Sequence, residues 1–161
     1  MTVVRHGWTQ VVGAAAVVFT VCAGLSAVAA QDAKVEAQGA QAGPGIWGGV
    51  YTDDQAKRGE AASNRLCTSC HGPDLSGGEA GPTLAGLEFI GNWTALSVGD
   101  FFDRVLATMP ADAPGTMTPQ QTSDITAYVL KLNKYPAGQA ELATDVSALK
   151  QIIIDGQPPA K

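Results

Sequence analysis

At 161 residues, with 16% charged and 45% apolar side chains, the chain has room for one domain with a modest core. Its formal charge is −5, and beyond residue 30 nine basic groups face fifteen acidic ones. That balance argues against nucleic acid and anionic membrane surfaces as partners and favours proteins that present basic patches.

Residues 1–30 have the layout of an export signal: a polar start with Arg5 and His6, an apolar run from Val11 to Ala23, then small residues. Ala27-Val28-Ala29 or Val28-Ala29-Ala30 suits a signal peptidase, which puts cleavage before Ala30 or Gln31. The alternative is an uncleaved anchor that tethers the chain to a membrane, but Gly13, Thr20, Gly24 and Ser26 leave few bulky side chains for lipid. A lipid on Cys22 is disfavoured by the large Val21 before it. Residues 31–49 are rich in Ala, Gln and Gly without an apolar period, and are expected to be a flexible lead. Ile46 and Trp47 could pin its end to a domain that starts near Val50.

Thr52 as a cap, with Asp53 and Asp54 at the positive end of the dipole, predicts a helix from Asp53 to Leu66. Ala56, Gly59, Ala62 and Ser63 form a stripe of small residues on it. A mid-helix glycine costs about 1 kcal/mol against alanine, so Gly59 hints at a closely crossing helix, with a tolerated surface glycine as the alternative.

Next comes Cys67-Thr68-Ser69-Cys70-His71. Two thiols three positions apart, with an imidazole directly behind the second, can fasten a haem. In a turn of helix the sulfurs lie along one porphyrin edge as thioethers, and the histidine supplies the proximal iron ligand. A zinc site needs about four nitrogen or sulfur ligands, and outside the motif the chain offers only His6 and Cys22. A thioredoxin-type dithiol belongs at a strand end in a βαβ pattern, whereas the residues before Cys67 read as helix; a plain disulfide is the remaining alternative. The single motif implies one covalently held haem c.

Gly72 to Pro82 reads as a loop, and Thr83 to Leu87 as a short helix. Phe89, Ile90 and Trp93 are candidate pocket walls; the Trp93 indole N–H could reach a propionate, or the ring could simply pack in the core. Ser97 and Asp100 form an approximate capping box for a helix with Phe101, Phe102, Val105 and Leu106 on one face, running out to Met109, where Pro110 stops it. Pro110 to Met117 is irregular. Thr118-Pro119-Gln120-Gln121 starts a last core helix ending near Asn133, with Ile125, Tyr128, Val129 and Leu132 as its apolar stripe. Residues 143–161 are expected to be an extension packed on the domain, with a brief helix from Asp145 to Lys150 and an apolar tail at Ile152 to Ile154.

A second axial ligand decides between electron transfer and small-molecule binding at a haem iron. After the motif the chain has two methionines, Met109 and Met117, and no histidine. A thioether is a soft donor that favours Fe(II) and closes the iron to oxygen. Met117 stands just before a helix cap, where an apolar residue often staples the entry, so it also has a ready place in the core.

Together these residues resemble a class I c-type cytochrome, an all-α domain of three to five helices around one covalently bound haem, over residues 50–142. The resemblance implies that Gly59 crosses Tyr128 of the last helix. It also implies that the Pro82 carbonyl, in Gly81-Pro82-Thr83-Leu84, accepts the proton of His71, where a plain turn would be the alternative. Thr108-Met109-Pro110 is similar to the family's ligand segment, which favours Met109 over Met117. Covalent attachment of this kind belongs outside the bacterial cytoplasm, so a periplasmic location is expected. The function implied is a single-haem carrier of electrons between redox proteins such as a dehydrogenase, an oxidase or another cytochrome, with no catalytic residues of its own. A haem c subunit of a larger dehydrogenase or oxidase complex shares that chemistry. A haem enzyme or gas-binding module with an open sixth site is the other alternative, and no distal His or Arg suited to peroxide chemistry is apparent near the ligand loop to serve it.

Overall fold

The computed structural model describes residues 45–156. The export-signal segment, residues 31–44 of the lead and residues 157–161 lie outside the described residues. A 3-10 turn at Ile46–Gly48 is followed by α1 (Asp53–Leu66), α2 (Thr68–His71), α3 (Gly86–Trp93), α4 (Val98–Thr108), α5 (Pro119–Leu132) and α6 (Val146–Leu149). No strand occurs among the described residues, and α2 and α6 are single turns, so four helices form the body of this all-α domain. No described helix is long and apolar enough to cross a membrane.

Local chemistry sets the helix starts. The Thr52 hydroxyl accepts the Gln55 N–H at 3.1 Å and opens α1. In α4 the Ser97 hydroxyl accepts the Asp100 N–H while the Asp100 carboxylate accepts the Ser97 N–H, both at 3.0 Å. Hydrogen bonds from Ser97 hold the Asp100 carboxyl below its usual range. Thr118 and Gln121 form the same reciprocal pair at α5, with Pro119 in its first turn.

The crossing of α1 and α5 fixes the frame. A Cβ on Gly59 would stand 1.8 Å from the Asp124 carbonyl oxygen and 2.9 Å from the Tyr128 Cβ, so only glycine admits this approach. Gln55 is buried nearby, its Nε2 donating to Ser123 Oγ and to the Leu142 carbonyl at 3.0 Å, and its Oε1 accepting the Leu142 N–H at 2.6 Å. At the rim Arg58 donates to both Asp124 oxygens at 3.0 and 2.9 Å and to Glu141 at 2.9 Å.

One expected element is displaced. The short helix expected at Thr83 to Leu87 is instead α3, Gly86–Trp93. Residues 83–85 are held extended: Leu84 N–H donates to the Leu75 carbonyl at 2.8 Å, and Ala85 N–H to the Thr83 hydroxyl at 3.1 Å. Helix begins only after them, at Gly86, whose φ of +77° turns the chain.

The core has two parts. One gathers Ile46, Tyr51, Val98, Phe102, Leu130 and Leu149 with Ile154 of the tail. The tail lies beside the start of α4, with Val98 N–H donating to the Ile152 carbonyl and Ile154 N–H to the Leu96 carbonyl, each at 2.8 Å. Ile154 is thereby buried, whereas Ile153 turns outward. The second part gathers Leu75, Phe89, Phe101, Val105, Met117 and Ile125, and it borders a cavity.

Candidate functional site

α1 delivers the chain to Cys67, and the single turn of α2 carries Cys70 and His71, so one continuous stretch presents two sulfurs and an imidazole. Gly72, with φ of +82°, ends that turn. Its own N–H donates to the Thr68 carbonyl, and Gly77 N–H donates to the His71 carbonyl at 2.8 Å, which folds the following loop back under the motif.

His71 is 8% exposed, and its Nδ1 lies 2.7 Å from the Pro82 carbonyl. A carbonyl can only accept, so Nδ1 carries the proton and Nε2 keeps its lone pair for another partner. Gly81 makes room for this arrangement, since a Cβ there would stand 3.0 Å from the imidazole Nδ1 and Cε1.

A cavity of about 500 Å³ lies against this motif. Cys67, Cys70, His71, Pro82, Trp93, Met109 and Met117 all line it, with Leu66, Leu84, Phe101, Val105 and Ile125 as apolar wall. The two thiols, the imidazole, Pro82, both methionines and Trp93 therefore border one space, whereas Phe89 and Ile90, also expected as pocket walls, lie behind that lining in the core. Cys67 is half-buried and Cys70 exposed, and both are free thiols. Burial pushes the Cys67 thiol above its usual range, with the Ser63 hydroxyl opposing the shift, so its unlinked sulfur is a protonated thiol at neutral pH.

The two methionines reach the cavity differently. Met109 is the residue that ends α4, half-buried, its N–H donating to the Val105 carbonyl at 3.0 Å. Met117 is 6% exposed and packed within the core beside the cap of α5, the stapling place expected of it.

Trp93 belongs to an aromatic cluster. Its ring meets Phe101 edge-on at 4.8 Å and stacks with Phe89 at 6.2 Å, which fixes the wall it gives the cavity. Two polar groups escaped the sequence reading. Asn92 and Arg104 line the cavity, and the Arg104 guanidinium carbon stands 5.9 Å from the Trp93 ring centroid. Arg104 lies on α4 five residues before Met109, with its guanidinium over the Trp93 ring. Its spacing from Phe101 and Val105 was readable, but not that its stem would lie along a void.

The donor set fits a haem. Two thiols at the lip, one buried imidazole with a free nitrogen, a thioether and an apolar wall are the groups a covalently held iron porphyrin requires, and the volume falls in the range of about 300–1,000 Å³ typical of ligand sites. Residues 54–129 match the family model described as cytochrome c oxidase, cbb3-type, subunit III. Residues 54–129 form a class I c-type cytochrome domain. Among solved structures, the sulfane dehydrogenase SoxCD from Paracoccus pantotrophus is similar to this cytochrome at 25% identity and a TM-score of 0.48, over 62% of this chain and 52% of that one. The cytochrome thus spans about half the length of that solved chain. No curated protein matches it.

Proposed function

We propose that this cytochrome is an exported, single-haem carrier that moves one electron at a time between redox proteins. The observation that carries the proposal is that one cavity is lined at once by Cys67, Cys70, His71 and Met109. Bound there, haem c supplies a one-electron Fe(III)/Fe(II) couple.

Each residue has a distinct task. Cys67 and Cys70 hold the group through sulfur, and His71 offers Nε2 to the iron while the Pro82 carbonyl fixes its ring and tautomer. Met109 offers the second ligand, a soft thioether that favours Fe(II). The aromatic and aliphatic wall excludes water, which keeps the surroundings from rearranging when charge changes. Trp93 and Arg104 lie within the same lining, where N–H donors can meet carboxylates of the bound group. The layout of residues 1–30 supports export to the periplasm, and the single Cys-x-x-Cys-His supports one haem. The acidic balance beyond residue 30 suits partners with basic docking faces.

A second reading differs in assembly, not chemistry. The matched family model is described as a subunit of an oxidase, which supports a place in a larger oxidoreductase complex. Purification from the native membrane and periplasmic fractions separates the two readings: a larger subunit retained through salt and detergent washes favours the complex.

The functional test is a spectroelectrochemical titration of wild type beside Met109→Ala and Met117→Ala. A c-type α band in the reduced protein, with a potential that falls in Met109→Ala and hardly moves in Met117→Ala, is expected. A fall in Met117→Ala alone would exchange the ligand assignment, and no α band in the wild type would end the proposal.

A further inference from the structure

We infer that Asn133, which does not line the cavity, is a positioning residue for His71, acting through the segment that carries the Pro82 carbonyl. The inference rests on the haem reading above and concerns how the chain holds its own ligand in place.

Asn133 caps the C-terminal end of α5 and is 8% exposed. Its Nδ2 donates to the Leu84 carbonyl at 2.9 Å and to the Val129 carbonyl at 2.8 Å, and its Oδ1 accepts the Gly86 N–H at 2.9 Å. The orientation of the amide is determined by its partners, because turning it over would set its oxygen against two carbonyl oxygens. Both donor hydrogens and the acceptor are thereby used, and two of the three bonds grip Leu84 and Gly86, 49 and 47 residues earlier in the chain.

The gripped residues lie immediately beyond Pro82. The Pro82 carbonyl belongs to the peptide that continues into Thr83, and two residues on the Leu84 carbonyl is in the hands of Asn133. On its other side this segment is tied by Leu84 N–H to the Leu75 carbonyl at 2.8 Å. The Thr83 hydroxyl bonds only within the neighbourhood, to Ala85 and to the Leu75 carbonyl. Leu75 itself belongs to the loop that follows His71, so those bonds join two parts of one loop, which is otherwise held by apolar packing of Leu75 in the core. Asn133 adds the directional, hydrogen-bonded tie to α5, the helix locked against α1 at Gly59. Since α1 leads directly into Cys67, Asn133 closes a circuit in which the thiols, the imidazole and the carbonyl that orients it share one rigid frame.

A helix cap with a purely structural role and a positioning residue make different predictions. Loss of a cap lowers stability and leaves the His71 hydrogen bond as it was. Loss of a positioning residue loosens the Nδ1–H bond to Pro82, whatever happens to stability.

The test is the solvent-exchange rate of the His71 Nδ1 proton in ferrous holoprotein, read by NMR for wild type, Asn133→Ala, the milder Asn133→Ser and the control Tyr51→Phe. Tyr51 donates to the Tyr135 carbonyl at 2.6 Å in the other part of the core, so Tyr51→Phe removes a buried hydrogen bond without touching the loop. Exchange should be faster by about tenfold in Asn133→Ala, the fold-change that corresponds to one buried hydrogen bond, by less in Asn133→Ser, and unchanged in Tyr51→Phe. The midpoint potential should also rise in the Asn133 variants, because a less firmly held Nδ1–H makes the imidazole a weaker donor to Fe(III). Exchange in both Asn133 variants at the wild-type rate, or speeding equally in Tyr51→Phe, overturns the inference while leaving the haem reading intact. A wild-type protein with no haem-shifted His71 resonance overturns the haem reading itself. Should Asn133→Ala fail to load or fold, Asn133→Ser decides alone.

Discussion

The two parts of the core are finished in different ways. The part around Tyr51, Phe102, Leu130 and Leu149 is closed by the chain itself, with the tail at Ile154 completing it and the Tyr51 hydroxyl paired to the Tyr135 carbonyl. The part around Phe89, Phe101, Val105 and Ile125 ends at a cavity of about 500 Å³ that no described side chain fills. Interiors are close-packed, and a space of that size with a largely apolar wall has the dimensions of a ligand site. One part is therefore complete as polypeptide, whereas the other is shaped for something the sequence does not contain.

The strongest way to break the comparison is to remove the anchors. In the double variant Cys67→Ala and Cys70→Ala, the closed part should keep its amide protection, while α4 near Met109 and the loop from Pro110 to Met117 lose theirs. Hydrogen exchange read by mass spectrometry checks this, and uniform loss across both parts would show that they do not differ as described. Next in size is Gly59→Ala. The added methyl would meet backbone at 1.8 Å, which no rotamer can relieve, so α1 and α5 must separate. We expect a loss of about 3 kcal/mol, the upper end for overpacking, despite alanine's better helix propensity. The denaturant midpoint at unchanged slope measures it.

Much of the frame was legible because its causes are local. Thr52, Ser97 and Thr118 act on backbone three residues away, so capping chemistry fixed the starts of α1, α4 and α5, and Pro110 marked where α4 ends. The pairing of Gly59 with Tyr128 came from the family resemblance rather than from spacing. α3 was misplaced because the bonds that hold residues 83–85 extended run partly to Leu75, a partner the sequence does not advertise. Asn133 and Gln55 were overlooked for the same reason: each is a polar residue that reaches partners 47 or more residues away. Arg104 went unremarked, because only the folded structure brings it over Trp93 at the cavity.

Two smaller effects sharpen the contrast within the closed part. Burial, with Asp53 nearby, pushes the Tyr51 hydroxyl up to about 12. The folded state then holds a proton that the unfolded chain releases near its ordinary value of about 10. Its contribution is fully present below pH about 10 and is lost as pH rises towards about 12. Tyr51→Phe should flatten that alkaline limb and cost about 1 kcal/mol at neutral pH through the lost bond to the Tyr135 carbonyl; urea midpoints taken between pH 8 and pH 12 read both. Smallest is Arg58→Met. Its guanidinium spans Asp124 and Glu141 but is 45% exposed, so we expect a loss of at most about 1 kcal/mol that shrinks with added salt. A salt-independent loss would mean that the aliphatic stem, not the charge, is what matters.

The claim beneath all of this is that the open part of the core is completed by a porphyrin joined through Cys67 and Cys70. The intact mass of the protein, produced in a host able to attach haem and measured under denaturing conditions, tests it most directly. We predict the mass of the polypeptide plus one haem, reverting to polypeptide alone in Cys67→Ala with Cys70→Ala. A wild-type mass equal to its amino acids alone would contradict the account.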